Sequence, residues 1–181
     1  MAEPRNRYST VSLVLHWGIA ALILGQILLI NAHEAVDGPD PYVGWHKAGG
    51  ITILVLTLVR IGWRVFNPAI ALPDRMPRWE KLFARTTHIL FYVALIVIPL
   101  TGWAASSAAG RDFTWYGLFQ WPLLPVGGGR EAAKSLMEVH ELAVKGLYVV
   151  LFLHVAGALK HQFVDRDNVL HRMIPLIPRR P

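Results

Sequence analysis

Cysteine is absent from the chain. That absence excludes disulfides, thiolate ligation of an iron–sulfur cluster and the Cys-x-x-Cys-His attachment of a covalent c-type haem. Any metal must rest on His, Met, Asp or Glu, or arrive inside a bound cofactor. Charge is scarce too. Asp, Glu, Lys and Arg make up 17% of the 181 residues, against about 25% in ordinary globular chains. Hydrophobic residues reach 54%, and the formal net charge is +6. The basic residues gather at the ends of apolar stretches rather than on a polar domain, which points to a membrane protein and away from nucleic acid.

A bilayer core takes roughly 20 mostly apolar residues per helix. Four windows qualify: Ser9–Asn31, Val43–Val65, Leu82–Ala105 and Leu136–Val164. The expected fold class is all-α, an integral membrane four-helix bundle, with residues 1–181 forming a single transmembrane domain. Ser9 is placed to cap the first helix. Pro99 and Gly102 fall inside the third, where neighbouring helices can repair the loosened backbone bonding. Arg5 and Arg7 precede the first window as in a signal peptide. Its apolar run, however, exceeds the roughly 7–15 residues of a signal core, and Ile30-Asn31-Ala32 is a poor cleavage site, so it reads as a retained helix.

Orientation follows the excess of Lys and Arg on cytoplasmic connections. Arg5 and Arg7 lie at the N-terminus; Arg64, Arg75, Arg78, Lys81 and Arg85 lie around the second connection; Arg166, Arg172, Arg179 and Arg180 lie in the tail. The first connection carries Glu34, Asp37 and Asp40, and the third, Ser106–Ser135, is nearly balanced. Both termini are therefore expected in the cytoplasm, the chain being a multi-pass membrane protein. The third connection also holds Phe113, Trp115, Tyr116, Phe119 and Trp121, residue types that settle at the membrane–water interface or, alternatively, form a lid over a buried cofactor.

Histidine is the chemistry-bearing residue. His16 lies in the first window, His46 in the second, and His140 and His154 in the last. An ionisable side chain inside a membrane is a functional candidate by default. With about 1.5 Å rise and 100° turn per residue, His140 and His154 stand roughly 21 Å apart on nearly one face. Depth then pairs His16 with His154 toward the inner side and His46 with His140 toward the outer. Two non-covalent b haems suit such pairs, because two imidazoles fill both axial positions and favour electron transfer over oxygen activation. A closed zinc site needs four ligands around one ion, which fits less well. Gly18, Gly25, Gly49, Gly50, Gly146 and Gly157 either admit a macrocycle or allow close helix packing. His161 follows His154 by seven residues on almost the same face, so spacing alone leaves the inner partner open between them.

The ordered histidines and their neighbours resemble the bacterial cytochrome b561 family over nearly the whole chain. The resemblance rests on Tyr8-Ser9 and His16-Trp17, on His46-Lys47-Ala48-Gly49-Gly50-Ile51 with Leu58-Val59-Arg60, and on His88-Ile89-Leu90-Phe91-Tyr92. Its most specific part is Glu138-Val139-His140-Glu141, His154 through His161, Asp167-Asn168-Val169-Leu170 and Arg172-Met173. It implies two haem b groups with axial ligands at His16, His46, His140 and His154, and so selects His154 over His161. It implies, for the stand-alone branch, a superoxide:ubiquinone oxidoreductase that takes electrons outside and reduces quinone near the cytoplasmic side. Related chains are anchor subunits passing electrons between quinone and a hydrogenase or formate dehydrogenase. Short loops and the lack of a further helix favour the stand-alone branch.

The remaining polar residues acquire candidate roles around such centres. Lys145 on the outer side and Arg60 on the inner side are the candidates for cofactor contact, since haem propionates call for charge-assisted donors. Arg111 and Lys134 read chiefly as solvated or snorkelling charge; Lys47 is open between that and propionate contact, and Arg60 and Arg64 are either membrane anchors, the first reading, or partners of the inner haem. His88 and His161 are the candidates for quinone protons, because an imidazole pKa near ~6.5 suits proton exchange at neutral pH. No residue is assigned a catalytic role beyond these. A transporter with histidine proton relays would call for discontinuous-helix repeats, and no repeat is visible.

Overall fold

The computed structural model describes residues 7–35, 41–174 and 176–177. Arg5, Asp37, Asp40, Arg179 and Arg180, which contribute to the expected orientation, lie outside the described residues. Helix α1 spans Thr10–Glu34, α2 Tyr42–Phe66, α3 Arg78–Ala108 and α4 Gly129–Lys160. Each is long and apolar enough to cross a membrane. The Ser9 side chain accepts a hydrogen bond from the Ser12 amide at 3.3 Å, capping α1 as its sequence indicates.

Two helices begin earlier than the apolar windows suggest. Helix α3 starts at Arg78 directly after Pro77, four residues before Leu82, and α4 starts at Gly129, seven residues before Leu136. Hydropathy marks only the part of a helix that lies in hydrocarbon. Polar turns such as Arg78–Lys81 continue the same backbone bonding outside it. At its far end α4 passes at His161–Asp165 into a π-helical turn, a local widening found often at functional sites. Between α3 and α4 a short antiparallel hairpin pairs Thr114–Trp115 with Phe119–Gln120, a feature absent from the sequence expectation.

The helices pack in chain order, α1 on α2, α2 on α3 and α3 on α4. All four contribute to one apolar cluster of Ile19, Ile23, Ile53, Leu95 and Leu147, with Phe91 and Ile98 among the residues packed on it. In lipid this cluster holds by van der Waals fit rather than by removal from water. Leu147 is the one buried residue of α4, and among the described residues this helix makes no extended contact with α1 or α2. A cleft therefore runs along α4. At the end where α1 begins and α4 finishes, Trp17 Nε1 donates to the Met173 carbonyl at 2.9 Å and Arg172 donates to the Ala71 carbonyl at 2.7 Å. This end is the inner one in the expected orientation.

Candidate cofactor site

The imidazoles cross that cleft in two places. At the inner end the rings of His16 on α1 and His154 on α4 stand 6.2 Å apart, centroid to centroid, with planes inclined at 62°. At the outer end His46 on α2 and His140 on α4 stand 6.3 Å apart at 75°. All four rings are half-buried, open to the cleft. Imidazole–metal bonds run about 2.0–2.1 Å, so two imidazoles on opposite sides of one metal ion place their centroids roughly 6.3 Å apart. Both observed spacings match this value. His46 and His140 meet at the outer end, and His16 and His154 at the inner with His88 beside them, a sparse donor set that suits a metal whose remaining positions a macrocycle would fill. The helices bearing them stand apart. The donor set and the cleft therefore fit haem b.

Each centre has its own surroundings. The His140 Nδ1–H donates to the Ile98 carbonyl of α3 at 2.8 Å, leaving Nε2 free to face a metal. A Cβ added to Gly102 would lie 3.1 Å from Cε1 and Nδ1 of that ring. On α2, Gly49 admits the Gln26 amide from α1 and the Tyr116 hydroxyl from the hairpin, so its small size serves helix contact. For Gly18, Gly25, Gly146 and Gly157 a Cβ would meet nothing within 4 Å, so protein packing does not require them to be small. Gln26 Oε1 and His46 Nδ1 are both buried with no partner among the described residues.

At the inner centre Arg60 donates from Nη1 to the Ser12 carbonyl at 3.3 Å, and its Nη2 lies 3.4 Å from His16 Nδ1. Arg64 stacks over the Tyr8 ring at 5.1 Å, and its Nη1 is buried with no hydrogen-bond partner among the described residues. His88 on α3 lies 5.5 Å from His154, shorter than the pair spacing, and Phe91 lies 5.2 Å from the same ring. His161 turns elsewhere. Its Nδ1 lies 2.9 Å from Asp167 Oδ2 and 3.1 Å from Asp165 Oδ2. Lys160 bridges Asp165 at 2.8 Å and Glu80 at 3.0 Å. Glu80, His161, Asp165 and Asp167 line a cavity of about 270 Å³ together with Arg75 and Met76.

Arg60, His88 and the four pairing histidines are thus brought to the cleft. Lys145 is exposed and, five residues beyond His140, lies about 140° around the helix from it, so the structure does not bring it to the outer pair. Lys47 sits over the Phe113 ring at 5.5 Å, a cation–π contact that ties α2 to the third connection. Sequence reasoning missed Gln26 and the part played by α3. A lone amide within an apolar span was the available signal for Gln26, since polar groups inside a membrane seldom lack a task.

Residues 7–176 match the family model described as prokaryotic cytochrome b561. The chain is 29% identical to cytochrome b561 homolog 2 of Escherichia coli, covering 93% of this chain and 92% of that one. It is 26% identical to cytochrome b561 homolog 1 of the same organism, covering 94% and 98%. A probable superoxide oxidase, CybB of Yersinia pestis, is 29% identical over 94% of this chain and 97% of its own.

Proposed function

The chain belongs to the prokaryotic cytochrome b561 family, membrane electron carriers whose cofactor is haem b, and from that premise we propose that it oxidises superoxide at the outer face and reduces ubiquinone at the inner. The observation that carries this reading is the pair of imidazole couples, 6.2 and 6.3 Å wide, at opposite ends of one cleft. Two centres along α4 provide a path across the bilayer, whereas one would serve a single face. The name of the Yersinia relative supports the choice of electron donor.

In this reading His16 and His154 hold the inner haem, His46 and His140 the outer, and both termini face the cytoplasm. Bound in this way, haem b supplies reversible one-electron transfer. The protein's own residues supply the rest. The four imidazoles would hold the two groups in place. Arg60 and Arg64 place positive charge beside the inner pair, where a propionate finds charge-assisted donors. Two superoxide anions give up one electron each and leave as dioxygen; one quinone takes both electrons and two protons. Those protons come from the inner side, where His161, held by Asp165 and Asp167, and His88, beside His154, are placed to pass them.

Stopped-flow mixing of the purified haem-loaded protein with superoxide tests the proposal. The expected record is fast reduction of the absorbance bands, then reoxidation on adding ubiquinone. Failure of superoxide to reduce the protein removes this reading. A second reading, an anchor subunit for a hydrogenase- or formate-dehydrogenase-type partner, draws on the exposed Leu118 and Phe119 of the outer hairpin. Stable co-purification with a large metalloenzyme would favour it.

A further inference from the structure

Helix α3 contributes no histidine to either pair, yet it hydrogen-bonds the outer imidazole of His140. His140 Nδ1 lies 2.8 Å from the Ile98 carbonyl, and Thr101 Oγ1 lies 3.5 Å from the same nitrogen. Thr101 spends its own hydroxyl proton on the carbonyls of Val97 and Ile98, at 2.8 and 2.9 Å. With that proton committed, Ile98 is left as the acceptor for the imidazole N–H. Gly102, one turn on, is the position where any Cβ would stand 3.1 Å from two atoms of the ring. The stretch Ile98–Gly102 thus forms a notch: a carbonyl at one side, an absent side chain at the other, and Pro99 buried between them.

We propose that this notch on α3 is the positioning element of the outer centre, with Gly102 as its determinant residue and the Ile98 carbonyl as its acceptor. The inference rests on His140 being a ligand. A hydrogen bond from Nδ1 fixes the tautomer that leaves the Nε2 lone pair for a metal, and it makes that nitrogen a stronger donor. Stronger donation favours the oxidised metal, so the notch holds the outer potential down. The inner centre differs at His16. There the neighbour of His16 Nδ1 is a guanidinium, which has no acceptor to offer. The two centres, alike in spacing, are set to different donor strengths.

The test uses the full-length haem-loaded protein, with redox titration and electron paramagnetic resonance as readouts. Gly102→Ala is expected to retain both haems, raise the midpoint potential of one of them, and alter the low-spin signal of that one alone. Gly62→Ala, whose Cβ meets nothing within 4 Å, is the control and is expected to change neither. If His140→Ala loses one haem while Gly102→Ala leaves both potentials and both signals as they were, the notch is overturned and the ligand assignment stands. If His140→Ala keeps both haems, the underlying assignment falls and the notch falls with it. Should Gly102→Ala not accumulate, double-resonance spectroscopy of the unsubstituted protein in D₂O decides. A slowly exchanging, hydrogen-bonded imidazole proton on the outer haem supports the notch, and rapid exchange overturns it.

Discussion

His16 and His154 come from helices that do not pack on one another, yet their rings stand 6.2 Å apart. His46 and His140 repeat the relationship at the other end of α4 at 6.3 Å. Side chains that meet twice and at one spacing, between helices with no extended contact, are arranged for something held between them. Removing either member of a pair should therefore empty that centre alone. His16→Ala and His154→Ala are each expected to lower haem content from two per chain to one, with loss of the inner signal. His46→Ala and His140→Ala should do the same for the outer. A pyridine haemochrome assay reads the count. Retention of two haems by His154→Ala, with loss of one by His161→Ala, would reverse the inner assignment.

Arg60 reaches from α2 to within 3.4 Å of His16 Nδ1. A fixed positive charge beside a redox centre favours its reduced form, which carries one positive charge fewer. Arg60→Ala should lower the inner potential by on the order of 1–2 kcal/mol at the effective dielectric of a partly buried site, or roughly 40–90 mV for one electron. Arg60→Lys should lower it less. Spectroelectrochemical titration, resolving the two haems, checks both the sign and the confinement to one centre. An unchanged inner potential would make Arg60 an anchor only.

The spans and the pairing were legible because both depend on regular quantities. Apolar length reports the thickness of hydrocarbon, and a constant rise per residue turns the interval between His140 and His154 into a depth. What was not legible depends on how each helix is rotated against its neighbours. The Gly102–His140 contact, the wedge of Gln26 against Gly49 and the exclusion of Lys145 from the outer pair all turn on rotation, which sequence periodicity hardly fixes where a helix is apolar all round. The π-helical turn at His161–Asp165 likewise aims His161 at Asp167, whereas regular helical spacing left it a rival of His154.

His161 and Asp167 form a bonded pair at 2.9 Å beside the inner cavity, apart from the His16–His154 couple. If they pass protons to quinone, the two halves of the reaction should separate on substitution. His161→Ala is expected to slow reoxidation by quinone about 10²-fold or more, the usual loss for a positioned acid–base group. Reduction by superoxide and haem content should stay as they were. Asp167→Asn should act in the same direction and less strongly. Stopped-flow absorbance follows the two phases in one record, and equal slowing of both would indicate disruption of the fold.

Thr57 is fully buried on α2, and its Oγ1 has no partner among the described residues. A buried hydroxyl left unpaired costs about 1–3 kcal/mol, and valine has nearly its shape without that group. Two outcomes of Thr57→Val are therefore distinguishable. If the hydroxyl has no task, the substitution should raise the unfolding midpoint in detergent and leave both haem potentials unchanged. Thr57 stands eleven residues beyond His46, which returns it to within about 20° of the same helix face and directs it toward the cleft. A hydroxyl that donates to a bound group there would shift one potential when removed and give no gain in stability. We expect the first outcome, an increase in stability of about 1 kcal/mol, because the buried Oγ1 finds no hydrogen-bond partner among the described residues.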